Sequence, residues 1–564
     1  MDQHESRIDR YALSPIARLP PEVLGRIFVV YSQREMASVQ TYRVNPFETR
    51  STFPYKWIVV THICSHWREI ALGTPELWTT IRLGLVRPEV IEVFLSRSKH
   101  ALLRVDGKEH IPTRTISAFK PFLHAIARAE SLSLQMSAEV YDTLASEIPS
   151  SAPHLRTLEV TGTTPETATR SLLERLSAPS LIRLSLSHCT PSLLESSFPA
   201  SLKHLSLIFP MGHEVSVDDA IFALKDLSAL EELVLFGLDH QRRTSNSRGA
   251  RKQPILLPRL QKLRLKASTL WSIQFLERVT LPASTTISLL LRDAPTANAI
   301  RGLGPSLAHI LSTRIGLQDD REAVELVKVI PKGVLFFKRS SLVLEPSLEI
   351  RLPASYNPPQ ILGDLLSVLD PTLLRHATAL TFEGISYDYP EAWEAFLRSM
   401  GNVEELNIHA SSQGPYHSEI INLIGSCFDH NAEEREFPFP NLKRITFHNV
   451  KFRELDDEDT HFYFVDGLYM AVVARGDFGS CADIEEIHIK DCLNMNDYHV
   501  RSLEKFVETV KWDGVKYYEV GVIEDEAEHY ESDDENWDAD EDEEAEDEDE
   551  EDEGDSEEDV SETE

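Results

Sequence analysis

Few residues in this chain stand at spacings that perform covalent chemistry. Cys427-x-x-His430 and the trio Cys481, His488 and Cys492 come nearest to a metal site. Zinc needs four ligands in close register, and neither group supplies them, so buried or loop cysteines are expected. Asp456-Asp457-Glu458-Asp459 pairs carboxylates and reads as a solvated loop. Gly302-Leu303-Gly304 follows no clear strand. There is no G-x-x-x-x-G-K-[ST] phosphate loop and no G-x-S-x-G nucleophile elbow. The residues therefore predict no catalytic group, no metal and no cofactor. What the spacing does offer is apolar side chains arranged for association.

Those side chains sit near the N-terminus, and three short helices must position them. Pro20 and Pro21 suit a first helical turn, where a missing N–H is no loss, and Glu22 complements the positive helix end. Val23, Leu24, Ile27 and Phe28 then share one face. Trp57, Val60, Cys64, Trp67 and Ala71 recur at steps of three and four and predict a second helix over 57–71, with Gly73 as its stop. Thr74 can cap a third helix with Pro75 at its first position and Glu76 behind it. So small a unit cannot bury all these residues alone, and a partner protein is expected over some of them.

Leu19-Pro20-x-Glu22-x-Leu24-x-x-Ile27-Phe28, Cys64-x-x-Trp67-Arg68-x-x-Ala71 and Pro75-x-Leu77-Trp78 occur in order over residues 15–83. Together they resemble the F-box, in the F-box-like form common in mushroom-forming fungi. The resemblance implies docking on a Skp-type adaptor and, through it, a cullin-RING ubiquitin ligase. It implies an adaptor patch drawn from Leu19, Pro20, Leu24, Ile27, Phe28, Val60, Cys64, Trp67, Leu77 and Trp78, some of which must instead pack the helices together. Residues 33–56, far longer than in a compact F-box, are expected to be a loop. The alternative is a plain helical cap on the domain that follows.

The chain has 564 residues and exceeds one ordinary core, so several folded units or one long repeat array are expected. No run of 18 apolar residues exists to span a membrane, and the charged first 30 residues do not read as a secretory signal. Five scattered cysteines suit a reducing compartment, cytoplasm or nucleus. The net charge of −36 is concentrated: residues 524–564 hold 28 acids and no Lys or Arg. The remainder has 64 acids against 56 bases, which points away from a nucleic-acid binder.

A pattern Leu-x-x-Leu-x-Leu recurs after the helices, at Leu155, Leu181, Leu202, Leu230 and Leu260, spaced by 21 to 30 residues. Weaker copies lie at Leu103, Leu132, Leu380, Val403, Leu442 and Ile484. Each reads as a short strand. Apolar stripes such as 169–176 and 218–227 read as helices between them. One strand and one helix per unit resembles the leucine-rich repeat, in degenerate form, because the Asn that follows the strand is mostly replaced; His188-Cys189 and Asp491-Cys492 are its nearest equivalents. The stretch 290–375 is irregular. Segments 239–253 and 413–440 read as loops, 498–510 as a closing helix and 515–520 as a last strand.

The expected architecture is thus α/β: an F-box-like unit over 15–83, a degenerate leucine-rich-repeat solenoid over 84–522, and a disordered acidic tail over 523–564. Neither RING nor HECT features are present. The resemblance implies a non-catalytic, substrate-recruiting ligase subunit that holds an unidentified target protein on the solenoid. The alternative is a binding scaffold whose tail takes basic proteins.

Overall fold

The computed structural model describes residues 15–41, 55–83, 87–107 and, with interruptions, 120–516. Its centre is one 17-stranded, mostly parallel sheet. The strands are β1 (Thr80–Arg82), β2 (Leu103–Gly107), β3 (Ala129–Gln135), β4 (Thr157–Thr161), β5 (Arg183–Ser187), β6 (His204–Ile208), β7 (Glu232–Leu238), β8 (Lys262–Ala267) and β9 (Thr286–Leu291). Then come β10 (Val324–Ile330), β11 (Gly333–Lys338), β12 (Leu348–Arg351), β13 (Ala379–Glu383), β14 (Glu405–His409), β15 (Arg444–His448), β16 (Glu486–Lys490) and β17 (Thr509–Trp512).

From β1 to β9 each strand pairs in parallel with the next in the chain, and the same holds from β13 to β17. The two runs are joined by the irregular stretch. There β12 lies parallel to β9, β11 runs antiparallel to both β12 and β10, and β10 lies parallel to β13. Among the described strands of this sheet only β11 is reversed.

The leucine spacing explains the sheet. Side chains alternate across a strand, so the second and third leucines of each copy point to one face. Leu158, Leu184, Leu205, Leu233 and Leu263 align in register, as do Val160, Leu186, Leu207, Leu235 and Leu265, and all are buried. Each fully buried leucine contributes about 1.5–3 kcal/mol of transfer free energy. The first leucine of each copy closes a turn before its strand: the N–H groups of Leu155, Leu181, Leu202, Leu230 and Leu260 each donate to the carbonyl three residues earlier. Among the described helices on the apolar side are α4 (Val217–Leu224) and α5 (Thr269–Leu276). Trp271 of α5 is buried, and its Nε1 donates to the Val215 carbonyl at 2.9 Å.

Four of the strands share an exit. His188, Gly384, Asn449 and Asp491 each follow the last residue of a strand, and each has a positive φ of 48° to 60°. Small or polar residues tolerate that conformation best, which accounts for the residue types at these points.

Three expectations need correction. Residues 33–41 are not loop: the first helix, α1 (Pro21–Thr41), continues through them, while 42–54 lie outside the described residues. The closing helix is α6 (Asp497–Glu504), shorter than expected, and Val510 belongs to β17. It begins where Asn496 accepts from the His499 N–H at 3.2 Å and donates its own N–H to His499 Nδ1 at 3.1 Å. The last described strand is 509–512, and of the strand expected over 515–520 only 515 and 516 are described, neither of them in a strand. Gly514 turns the chain at φ +75°, and Asp513 accepts from the N–H groups of Asp491 and Val515, so the ladder stops there. Residues 517–564, most of 162–175, all of 240–253 and nearly all of 411–436 lie outside the described residues. The expectations for the tail, the 169–176 helix and the two loops rest there.

Candidate functional site

The N-terminal residues form α1, a 3-10 helix over Lys56–His62, α2 (Ser65–Gly73) and a 3-10 turn over Pro75–Trp78. The continuous helix expected over 57–71 is therefore two pieces. The break comes at Cys64, whose backbone is extended and whose Sγ accepts the Trp67 N–H at 3.4 Å, capping α2. The Arg68 side chain reinforces the corner by donating from Nε to the Thr61 carbonyl at 2.7 Å.

An aromatic cluster holds these pieces. The Trp78 ring lies edge-on to Trp57 at 5.2 Å and to Phe94 at 5.1 Å, and its Nε1 donates to the Ala71 carbonyl at 2.9 Å. Phe28 of α1 meets Trp67 of α2 at 4.9 Å. Phe94 belongs to α3 (Pro88–Arg97), which follows β1. Tyr55 is buried beside Phe94, and its hydroxyl accepts the Arg82 N–H at 2.8 Å. Burial pushes the Tyr55 hydroxyl up to about 12, so it stays neutral. The Arg82 guanidinium donates to the Met36 carbonyl of α1 at 3.1 Å. Gly25 lets α1 come close: a Cβ there would stand 2.9 Å from Thr74 Oγ1.

This packing divides the ten candidate residues. Leu24, Phe28, Val60, Leu77 and Trp78 are in the core and offer no surface in this conformation. Leu19, Cys64 and Trp67 are half-buried, and Pro20 and Ile27 are exposed. The expectation that Val23, Leu24, Ile27 and Phe28 share a face is corrected. Leu24 (0% exposed) and Phe28 (1%) point inward, while Val23 (45%) and Ile27 (43%) point out. Positions 23 and 24 are about 100° apart on a helix, so two neighbouring apolar stripes exist and only one is covered.

The uncovered stripe is longer than expected. Pro20 just before α1 and Val23 and Ile27 along it follow at steps of three and four, Val30 and Tyr31 stand three and four residues beyond Ile27, and all are exposed. Val59 and Ile63 add exposed apolar side chains in and just after the 56–62 helix. Val23, Val30, Tyr31, Val59 and Ile63 were not among the candidates. For Val23, Val30 and Tyr31 the signal was present in the spacing of α1 but was indistinguishable from that of a core-facing stripe. Beside the aromatic cluster lies a groove of about 530 Å³, bordered by Ile58, His62, Leu72, Val93 and Arg97. The Arg97 guanidinium stands 4.3 Å over the Trp78 ring.

Among the described residues no other centre competes with this one. Cys492 is buried, its thiol pushed up to about 11 by burial, and Cys481 and His488 do not join it in a ligand set. His488 instead pairs through Nε2 with Glu486 at 3.0 Å. Among the described residues no group of three or more His, Cys, Asp or Glu could hold a metal ion, and no helix is long and apolar enough to cross a membrane. Cys427, His430 and Asp456–Asp459 lie outside the described residues.

No family model matches the chain, and no curated protein matches it.

Proposed function

We propose that the chain is a substrate-recruiting subunit of a Skp/cullin/F-box-type ubiquitin ligase, acting in the cytoplasm or nucleus. In this reading residues 15–83 are an F-box-like unit and the sheet with its helices is a degenerate leucine-rich-repeat solenoid. The observation that carries it is the stripe Pro20, Val23, Ile27, Val30 and Tyr31, which stays exposed although the same helix has already filled its own core. Exposed apolar residues gathered on one side of a helix mark an interaction site. A Skp-type adaptor covers that stripe, and the target protein binds the open strand face. The chain makes and breaks no bond; transfer arises by proximity at the ligase.

A second reading is favoured by one observation. Arg82, Tyr55 and Phe94 tie α1 and the 55–78 segment to β1 and α3, which is what a cap on the end of a sheet would do. The chain is then a binding scaffold without an adaptor. Co-purification with a Skp-type adaptor separates the two. The ligase reading expects capture by wild type and loss of capture, at unchanged melting temperature, for the folded variant Val23→Asp, Ile27→Asp. Capture that survives the double substitution overturns it, and no capture by wild type leaves the cap reading.

A further inference from the structure

The open face of the sheet carries a feature that the N-terminal helices do not explain. Strand β8 alternates Lys262, Leu263, Arg264, Leu265 and Lys266, with the leucines buried and all three cations exposed. By register Arg264 lies between Val234 of β7 and Ser288 of β9, and Lys266 between Phe236 and Leu290. One strand further, Ile208 of β6 stands beside Phe236. These side chains share the face opposite the leucines.

The other basic side chains of strands β5 to β8 on this face already have carboxylate partners. Arg183 and His204 meet Glu232, and Lys262 meets Glu345 at 2.9 Å. On β12, Glu349 is held by Ser288 at 2.6 Å and by Arg351. Arg264 and Lys266 have no described carboxylate within ion-pair distance; the Arg264 guanidinium has only the Phe236 ring, at 5.8 Å. The surface is thus two free cations set among half-buried Ile208, Val234, Phe236 and Leu290. It fits an acidic segment that also carries apolar anchors.

We propose that the strand face across β7, β8 and β9 is a docking surface for such a segment, and that its occupant is this chain's own C-terminal stretch, 524–564. The stretch has the required chemistry: 28 acids, no Lys or Arg, and Tyr530 and Trp537 among the acids. It also has the reach. Nine strand-to-strand steps separate β17 from β8 through β16, β15, β14, β13, β10, β11, β12 and β9. At ~4.8 Å each they span ~43 Å, which ~13 extended residues cross at ~3.3 Å per residue. Forty-eight residues follow Lys516, more than the span requires. Covalent attachment gives it an effective concentration on the order of millimolar, so a target protein reaches this face by displacing it. The inference does not depend on what the N-terminal helices bind.

Zero-length carbodiimide coupling on the full-length protein tests it, with peptide mapping of the monomer. Lys266 should couple to carboxylates of 524–564, whereas Lys225, exposed just after α4 on the helix side, should not. Arg264→Glu should lower the Lys266 coupling about fivefold, the scale of reversing one exposed charge contact, and Arg264→Lys should leave it near wild type. Coupling should also vanish at ~1 M salt, where the screening length falls to ~3 Å. Equal coupling at Lys225 and Lys266, coupling indifferent to Arg264→Glu in a variant that melts as wild type, or products found only as covalent dimers would each overturn the proposal.

Discussion

Replacing Trp78 with alanine tests whether the aromatic cluster is the joint between the N-terminal helices and the sheet. The ring is 2% exposed and touches Trp57 and Phe94 edge-on, with Arg97 above it. Truncating a buried tryptophan costs about 3–5 kcal/mol. The hydrogen bond from Nε1 to the Ala71 carbonyl adds about 1 kcal/mol. The Thr74 N–H still reaches that carbonyl at 3.4 Å, so it is not left orphaned. A loss of about 4–6 kcal/mol is therefore expected, borne by α2 and the 55–62 segment rather than by distant strands. Hydrogen exchange reads it directly: the amides of Arg68 to Gly73 should exchange about a thousandfold to ten-thousandfold faster, since each 1.4 kcal/mol is tenfold. Trp78→Phe keeps an aromatic ring and loses the donor, so it should accelerate the same amides only about tenfold. Wild-type protection in Trp78→Ala would refute the reasoning. Acceleration spread evenly out to β17 would refute the locality, showing that joint and sheet open as one unit.

Two further predictions come from the sheet itself. Gly237 sits at φ +84° at a register shift in β7, and a Cβ there would stand 2.1 Å from the Phe209 carbonyl oxygen; Gly212 has φ +85° with nothing within 4 Å. Urea denaturation should therefore show Gly212→Ala costing about 1 kcal/mol, the conformational term alone, and Gly237→Ala clearly more, about 2–4 kcal/mol; equal costs would mean the close approach is not real. Glu486 is held down to about 2, first by its hydrogen bond from Arg444, with help from His488 and Lys511. A carboxyl lowered in the folded state stabilises above its ordinary 4.5 and loses that contribution as pH falls toward 2. Wild type should thus lose more stability than Glu486→Gln over that interval, and parallel curves would exclude the network.

The strands were legible in the sequence because their signal is local. Leu-x-x-Leu-x-Leu places two apolar side chains on one side of a strand and a leucine in the turn before it, and from Leu155 to Leu260 every copy does this, with Val160 standing for the last leucine of the first. The N-terminal apolar residues were legible as residue types only. Val23, Leu24, Ile27 and Phe28 are all apolar at helical spacing, and nothing in that spacing says which stripe the Trp57–Trp78–Phe94 cluster will cover. Tertiary packing decided it, by burying Leu24 and Phe28 and leaving Val23 and Ile27 outside. The break at Cys64 escaped for a related reason: Trp57, Val60 and Cys64 keep a helical rhythm across a corner that the Arg68 contact to Thr61 stabilises from seven residues away. The reversed strand β11 depends on partners β10 and β12, and the patch around Arg264 on strands β7 and β9. Alternation along β8 states that its cations face away from the leucines. That Phe236 and Leu290 stand on either side of Lys266 is set by the register between strands some 30 residues apart in the chain, which only the folded sheet fixes.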